Sequence, residues 1–316
     1  MKKFKIENRN FPKQLMAIVF IISALSVSAK TPNELSIYGG GGYSFFYYQS
    51  ALSGVHGISS KGFGGDLGFG FTGFVSKQIG FHVGLGIGMY NVKGMVDSLT
   101  FFTPDYDYAV NPLNGEEHLY DLYTNLSDYD EKHRMFFISV PLMLQFQTQK
   151  NPWNRAGVEK VFYAMAGVKL NFLIQDPYEA EVKKLKNLAH FTVIDNWAGT
   201  QEFVELGRLK GNASKGQIKS IMPIFTFEAG IKWHFSKKLI LYSGAYFDCG
   251  LNDPTKENRG KFNNYTSRDD LKDLSLLKFS KNANLMSAGV KFRLSFPFFK
   301  KQNQLGCPAI SNKKWK

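Results

Sequence analysis

The residues best suited to metal or nucleophilic chemistry in this sequence are six histidines and two cysteines, and their spacing supports neither. His56, His82, His118, His133, His190 and His234 include no His-x-x-x-His or His-Glu-x-x-His pair, and Cys249 and Cys307 lack the spacing of zinc ligands. No Ser/His/Asp order of a known hydrolase is recognisable. One grouping sets carboxylates beside an imidazole, as general acid–base chemistry requires: Asp128-Tyr-Asp130-Glu-Lys-His133. Connecting segments are often rich in solvated acids, so this stretch is expected to be an exposed loop. No catalytic residue and no cofactor is assigned.

Around it, Asp97, Asp105, Asp107, Glu116, Glu117, Asp121, Asp128, Asp130 and Glu131 follow one another with no Lys or Arg between them. Oxygen ligands at this density suit Ca²⁺ or Mg²⁺, but no EF-hand spacing is present, so no metal site is assigned. Phe101, Phe102, Tyr106, Tyr108, Tyr120 and Tyr123 give the same stretch the makings of a binding tip or of a self-packed loop. A different set of charges, Asp66, Lys169, Glu228, Lys232, Lys291 and Arg293, lies inside alternating apolar segments rather than between them. Charges so placed require partners, and the elements that carry them decide where they point.

Eight segments alternate with a period of two: 35–49, 61–75, 79–94, 134–148, 159–175, 219–235, 239–250 and 283–297. In the clearest, Phe81, Val83, Leu85, Ile87 and Met89 share one face, while His82, Gly84, Gly86 and Gly88 take the other. A helix would scatter these residues around its axis. All six charges named above fall on the glycine-bearing face. In a soluble lipocalin-like barrel the apolar face would be inside; charges beside small residues instead suit the narrow interior of an eight-stranded membrane barrel. So narrow a lumen favours mutual neutralisation of the charges over an ion path. Tyr43, Tyr47, Tyr48, Trp153, Trp233 and Phe298 are placed to form interfacial girdles.

The connections alternate too. Ser76-Lys77-Gln78, about ten residues around Trp153, and Ser236-Lys237-Lys238 are short, whereas 50–60, 95–133, 176–218 and 251–282 are long. Outer-membrane barrels have short periplasmic turns and long extracellular loops, and a globular domain rarely tolerates loops of this length. At the N-terminus, Lys2, Lys3, Lys5, Arg9 and Lys13 precede an apolar run from Leu15 to Leu25 and the small-x-Ala pattern Val27-Ser28-Ala29. That order is a signal peptide with cleavage after Ala29, and no Cys near the site suggests a lipoprotein. Past Ala29 no apolar run is long enough for a membrane-spanning helix.

The formal charge of +13 is concentrated in the leader and in Lys300, Lys301, Lys313, Lys314 and Lys316; the remainder is diffuse, so nucleic acid is not an expected partner. The expected organisation is a signal peptide over 1–29, a barrel over 30–299 and a basic periplasmic tail over 300–316. Two cysteines are too few for a disulfide framework. With the N-terminus periplasmic, Cys249 lies near the outer surface and Cys307 in the tail, so they are not expected to pair.

Gly39-Gly-Gly-Gly-Tyr43, Gly64-Gly-Asp-Leu-Gly68, Ile138-Ser-Val-Pro-Leu-Met-Leu144 and the closing Ser287–Phe296 strand carry a resemblance. The chain resembles the porin-like outer-membrane barrels of Bacteroidetes type, in the wider OmpA/OmpX-like group, over about 35–297. The fold this implies is all-β: a transmembrane antiparallel up-and-down β-barrel of about eight strands with long extracellular loops, in the outer membrane. Its implied partners are outer-membrane lipid, lipopolysaccharide and the barrel-assembly machinery. The implied role is structural or surface-binding, with a small-solute pore and a loop-borne surface hydrolase as the alternatives.

Overall fold

The computed structural model describes residues 32–50, 55–56, 59–111, 113–149, 159–193, 195–198, 209–213, 218–254 and 275–298. The expected signal peptide, the tail 300–316, Trp153 and Cys307 lie outside these residues. Eight strands form a closed ring: β1 (Asn33–Ser50), β3 (Ser59–Phe74), β4 (Ile79–Val110), β5 (Glu117–Gln147), β6 (Glu159–Gln175), β10 (Ile221–His234), β11 (Ile240–Gly250) and β12 (Ser280–Phe298). Each pairs antiparallel with the next, and β12 closes on β1, from Asn33 opposite Phe298 to Ser50 opposite Ser280. Closure leaves the ring no unpaired edge, which a backbone in lipid requires. Between the ring strands lie β2 (Val55–His56), β7 (Tyr178–Phe191), β8 (Asn196–Ala198), β9 (Leu209–Ala213) and one helical turn, α1 (Leu276–Phe279).

The apolar face of every ring strand points outward. Leu67, Phe69, Leu85, Ile87, Phe162, Phe225, Phe227, Val290, Phe292 and Phe296 are exposed, with Phe69 and Phe162 each at 67 %. The glycine face points inward and lets aromatic rings lie flat across the lumen. A Cβ at Gly64 would sit 2.3 Å from the Tyr90 ring, and one at Gly68 or Gly86 within 2.7 Å of the Tyr38 hydroxyl. The glycines are therefore sockets for tyrosines on neighbouring strands. Pro141, in mid-strand on β5, lies where the β4 ladder is interrupted: Val83 pairs with Leu142 and Gly86 with Ser139, with no pairs between. A proline has no N–H to give there.

The structure corrects the expectation of long loops over 95–133 and 176–218. β4 and β5 run to 32 and 31 residues, about three times the span of a bilayer. Their outer halves form one continuous hairpin, to which β7 adds and then β8 and β9. The alternation changes sign at the edge of the lipid belt, which is why the sequence reading lost it. Along β5 the outward exposed residues are Phe146, Leu144, Leu142, Ile138 and Phe136, followed by outward Arg134, Lys132 and Asp130; inward, Met135, His133 and Tyr129 are buried. Apolar residues face lipid below this boundary and the interior above it. A second change falls at the row of Asp97, Asp128 and Lys183, where pairing is interrupted, Asp128 has φ 51° and Lys183 approaches it at 3.3 Å. Beyond that row Leu99, Leu126 and Leu185 are the buried residues.

Tyr48 is a second correction. Tyr43 and Tyr47 are exposed on the outside, but Tyr48 differs in parity and turns inward, where its hydroxyl donates to Glu131 Oε1 at 3.3 Å. It belongs to no girdle.

Candidate functional site: the charged lumen and its cap

Inward-facing positions on different strands meet in tiers along the lumen. Nearest the short turns, Lys232 Nζ lies 2.7 Å from Glu34 Oε1 and donates to Gln147 Oε1 at 2.9 Å, while the Tyr242 hydroxyl donates to Glu34 Oε2 at 2.6 Å. This tier forms the roof of a vestibule of about 550 Å³, lined among others by Glu159, His234 and Lys237. In the middle tier Arg293 meets Glu228 at 2.7 Å, and Tyr163 donates to the same oxygen at 2.8 Å. The Arg293 guanidinium also lies 4.9 Å from the centre of the Tyr242 ring. The third tier joins Lys169 to Asp248 and, at 3.7 Å, to Asp66, which Lys291 also meets at 3.1 Å. Tyr90 donates to Asp248 at 3.2 Å, and Lys291 lies 4.6 Å from the centre of the Tyr38 ring.

All six charged residues named from the sequence thus face the lumen, and the structure brings every one of them into an ion pair. Sequence reasoning missed Glu34 and Asp248. The first precedes the point where the first strand was thought to start. The second shares parity with Tyr242 and Tyr246 on β11, which was signal enough to find it. With these two, four cations (Lys169, Lys232, Lys291, Arg293) meet four carboxylates (Glu34, Asp66, Glu228, Asp248), and the tiers are neutral. Buried charges persist only when paired and hydrogen-bonded, and the tyrosines complete that requirement here.

Above the tiers, the lumen is filled by Phe46, Tyr90, Val92, Met135, Phe137, Met222, Ile224 and Leu285, with Ile218 and Leu277 packed in from the outer side. Leu277 belongs to α1. Ser275 caps that turn, accepting from the Leu277 N–H, and the Leu276 N–H donates to Glu131 Oε2 at 2.7 Å. Glu131 in turn meets His133 Nε2 at 3.3 Å and accepts from Tyr129 at 3.0 Å, while His133 Nδ1 meets Asp176 at 3.2 Å. This cluster lies beyond the lipid belt, whose last apolar residue on β5 is Phe136. Burial lowers the His133 pKa, but the hydrogen bonds and charges of Asp176 and Glu131 outweigh it and hold the pKa at about 9. His133 is an imidazolium clamped between two carboxylates.

The residues 128–133 that suggested acid–base chemistry are therefore divided by the wall. Glu131 and His133 are fully buried inside, whereas Asp128 and Asp130 face outward, toward Lys183 at 3.3 Å and Lys93 at 2.8 Å. The cations missing from the acidic stretch come from neighbouring strands. Among the described residues, no three His, Cys, Asp or Glu side chains gather into a metal-holding group. Two exposed rings, Phe102 and Trp197, flank Tyr123 on the outer hairpin at 4.8 and 4.9 Å between centroids.

Neither known protein families nor curated proteins match the sequence. Among solved structures, the chain is similar to the outer membrane protein OprG from Pseudomonas aeruginosa at 10 % identity and TM-score 0.29, covering 85 % of this chain and 98 % of that one. It is similar to the translocator domain of the autotransporter NalP from Neisseria meningitidis at 11 % identity and TM-score 0.23, covering 92 % and 96 %. A third is the transport unit of the autotransporter AIDA-I from Escherichia coli, at 10 % identity and TM-score 0.23, covering 94 % and 100 %. The strand pairing of this chain itself makes it an eight-stranded transmembrane antiparallel β-barrel.

Proposed function

We propose that this protein is a closed, non-conducting barrel of the outer membrane, which anchors an extracellular β-sheet platform of structural or surface-binding type. The observation that carries this reading is the neutral stack of ion pairs below an apolar plug. A solute crossing the lumen would have to separate buried ion pairs and then displace Leu277 and the Glu131 cluster. Breaking a buried pair costs several kcal/mol. The apolar belt and the closed ring favour the outer membrane, since isolated sheets do not span lipid. The Gly39–Tyr43 and Ile138–Leu144 segments support the relation to Bacteroidetes-type, OmpA/OmpX-like barrels. On this reading the sheet built from the outer halves of β4, β5 and β7 is the part that meets other molecules.

Purified full-length protein in planar bilayers tests the closed lumen. Insertion without stepwise conductance is expected; regular steps of uniform size in wild-type protein would establish the pore reading instead. The variant Leu277→Ala combined with Glu228→Gln, which loosens plug and middle tier together, is expected to flicker open.

A further inference from the structure

The outer wall carries a row of like charges at the extracellular margin of the lipid belt. Lys61 on β3 pairs in register with Lys93 on β4, and Lys93 with Lys132 on β5, so three lysines stand side by side on adjacent strands. Their parity is that of Phe63, Met89 and Phe136, so all three are on the outer face. Directly opposite residues have Cβ atoms only about 5 Å apart, where like charges destabilise a sheet. Arg134 adds a fourth cation one outward step nearer the lipid. Two acids offset part of this charge: Asp130 lies 2.8 Å from Lys93, and Glu179 3.2 Å from Arg134. Glu181 lies one row farther out, opposite Asp130. Lys93, Lys132, Asp130, Glu179 and Glu181 line a hollow of about 500 Å³.

Four residues below the lysine row, toward the short turns, lies an apolar groove of about 450 Å³. It crosses β3, β4 and β5 between Phe63, Leu67, Ile87, Met89 and Phe136, and Gly65 and Gly88 thin its floor. The distance between the two features is about 13 Å along the strands, within the length of one lipid molecule. A cationic row just above the hydrocarbon boundary, with a groove beneath it, matches a molecule with a phosphate head and an acyl tail.

We propose that this face is a binding site for a phosphorylated, acylated lipid of the outer leaflet, with the phosphate on Lys61, Lys93 and Lys132 and an acyl chain in the groove between Leu67 and Phe136. The charge complementarity is specific in position. Outward lysines sit side by side only at this height on β3, β4 and β5; Asp130 balances Lys93, and Glu179, which stands opposite Lys132, is shared with Arg134. The site rests on the outer-membrane reading given above, because only there does this row lie at the lipid–water boundary.

Native mass spectrometry of the full chain released from detergent, titrated with diphosphorylated lipid A, dephosphorylated lipid A, phosphatidylcholine or inorganic phosphate, tests it. Wild-type protein is expected to retain lipid A, and Lys61→Gln/Lys132→Gln to weaken that retention about thirtyfold, roughly fivefold for each lysine beside an anionic lipid. Ile87→Trp, which fills the groove without touching a charge, is expected to weaken it as well, and millimolar inorganic phosphate not to displace it. Equal retention by wild type and the double lysine variant, equal retention of phosphatidylcholine, or displacement by free phosphate would each overturn the proposal. Membrane fractionation and heat-dependent gel mobility of every variant keep the two readings apart. A variant that stays in the outer membrane as a folded barrel but binds lipid A undiminished refutes this site alone, whereas wild type absent from that membrane refutes the reading beneath it.

Discussion

Glu228 and His133 show what a single residue is asked to do in this wall. Glu228 neutralises Arg293 at 2.7 Å in a space from which both are excluded from water. Glu228→Gln keeps the shape and leaves the guanidinium uncompensated, so a loss of about 3–5 kcal/mol is expected, read as a lower urea midpoint of the detergent-solubilised barrel. Adding Arg293→Met should restore most of it, and an unchanged midpoint in the single variant would contradict the pairing. His133 makes a pH-dependent prediction of defined sign. Its pKa is raised from 6.5 to about 9 in the folded state, so its contribution is complete below pH 6.5 and is lost as pH rises through 9. The size is roughly 3 kcal/mol for a shift of this extent. Protection of the Leu276 and Leu277 amides, taken relative to their intrinsic base-catalysed exchange, should fall between pH 7 and 9.5 in wild-type protein, and in His133→Asn it should stay constant over that range.

At the scale of elements, the two faces of each strand predict opposite tolerances. Leu85 is exposed to lipid near mid-belt, and Leu85→Arg should cost about 2–4 kcal/mol. Thr226 faces the lumen opposite Asp248, whose Oδ1 has no hydrogen-bond partner among the described residues. Thr226→Lys therefore adds a cation where an acceptor waits and should be the milder change; equal losses on refolding into lipid vesicles would refute the face assignment. This part of the fold was legible from the sequence, because lipid imposes a strict period of two on the outward face while glycine and charge mark the inward one. All eight ring strands were found on that signal, six of them to within three residues at each end, while β4 and β5 were found only over the parts that face lipid. The hairpin above the belt was not, because water permits polar residues outside and apolar ones inside, and the alternation reverses at Arg134. The lumen pairs were legible as a set but not as partners, since strands far apart in the chain bring Lys232 to Glu34 and Arg293 to Glu228 only once the ring closes. Tyr48 was misplaced by its neighbour Tyr47, because adjacent strand residues always take opposite faces.

As a whole the molecule has two ends with different work. One carries the short turns and the vestibule; the other carries α1, the buried Glu131–His133–Asp176 cluster and the long hairpin. Cys249 closes β11 at the hairpin end, as far from the turn at Ser236 as that strand reaches. Impermeant thiol reagents applied to intact cells should label it and should not reach Cys307, and an intramolecular Cys249–Cys307 bond found by non-reducing mass spectrometry would overturn this topology. With the tail on the side of the short turns, as expected from the sequence, a hydrocarbon layer of about 30 Å would separate the two positions, whereas a disulfide tolerates Cα atoms no more than about 7 Å apart. The closed ring, with β12 paired to β1, is the feature on which all of these expectations depend. A closed barrel keeps its backbone hydrogen bonds internal and resists detergent until boiled. The most direct test is therefore the mobility of the native chain, extracted from the outer-membrane fraction, on cold detergent gels with and without boiling. A faster band that converts to the full-length position only on boiling is expected; identical mobility of both samples would rule out the closed ring.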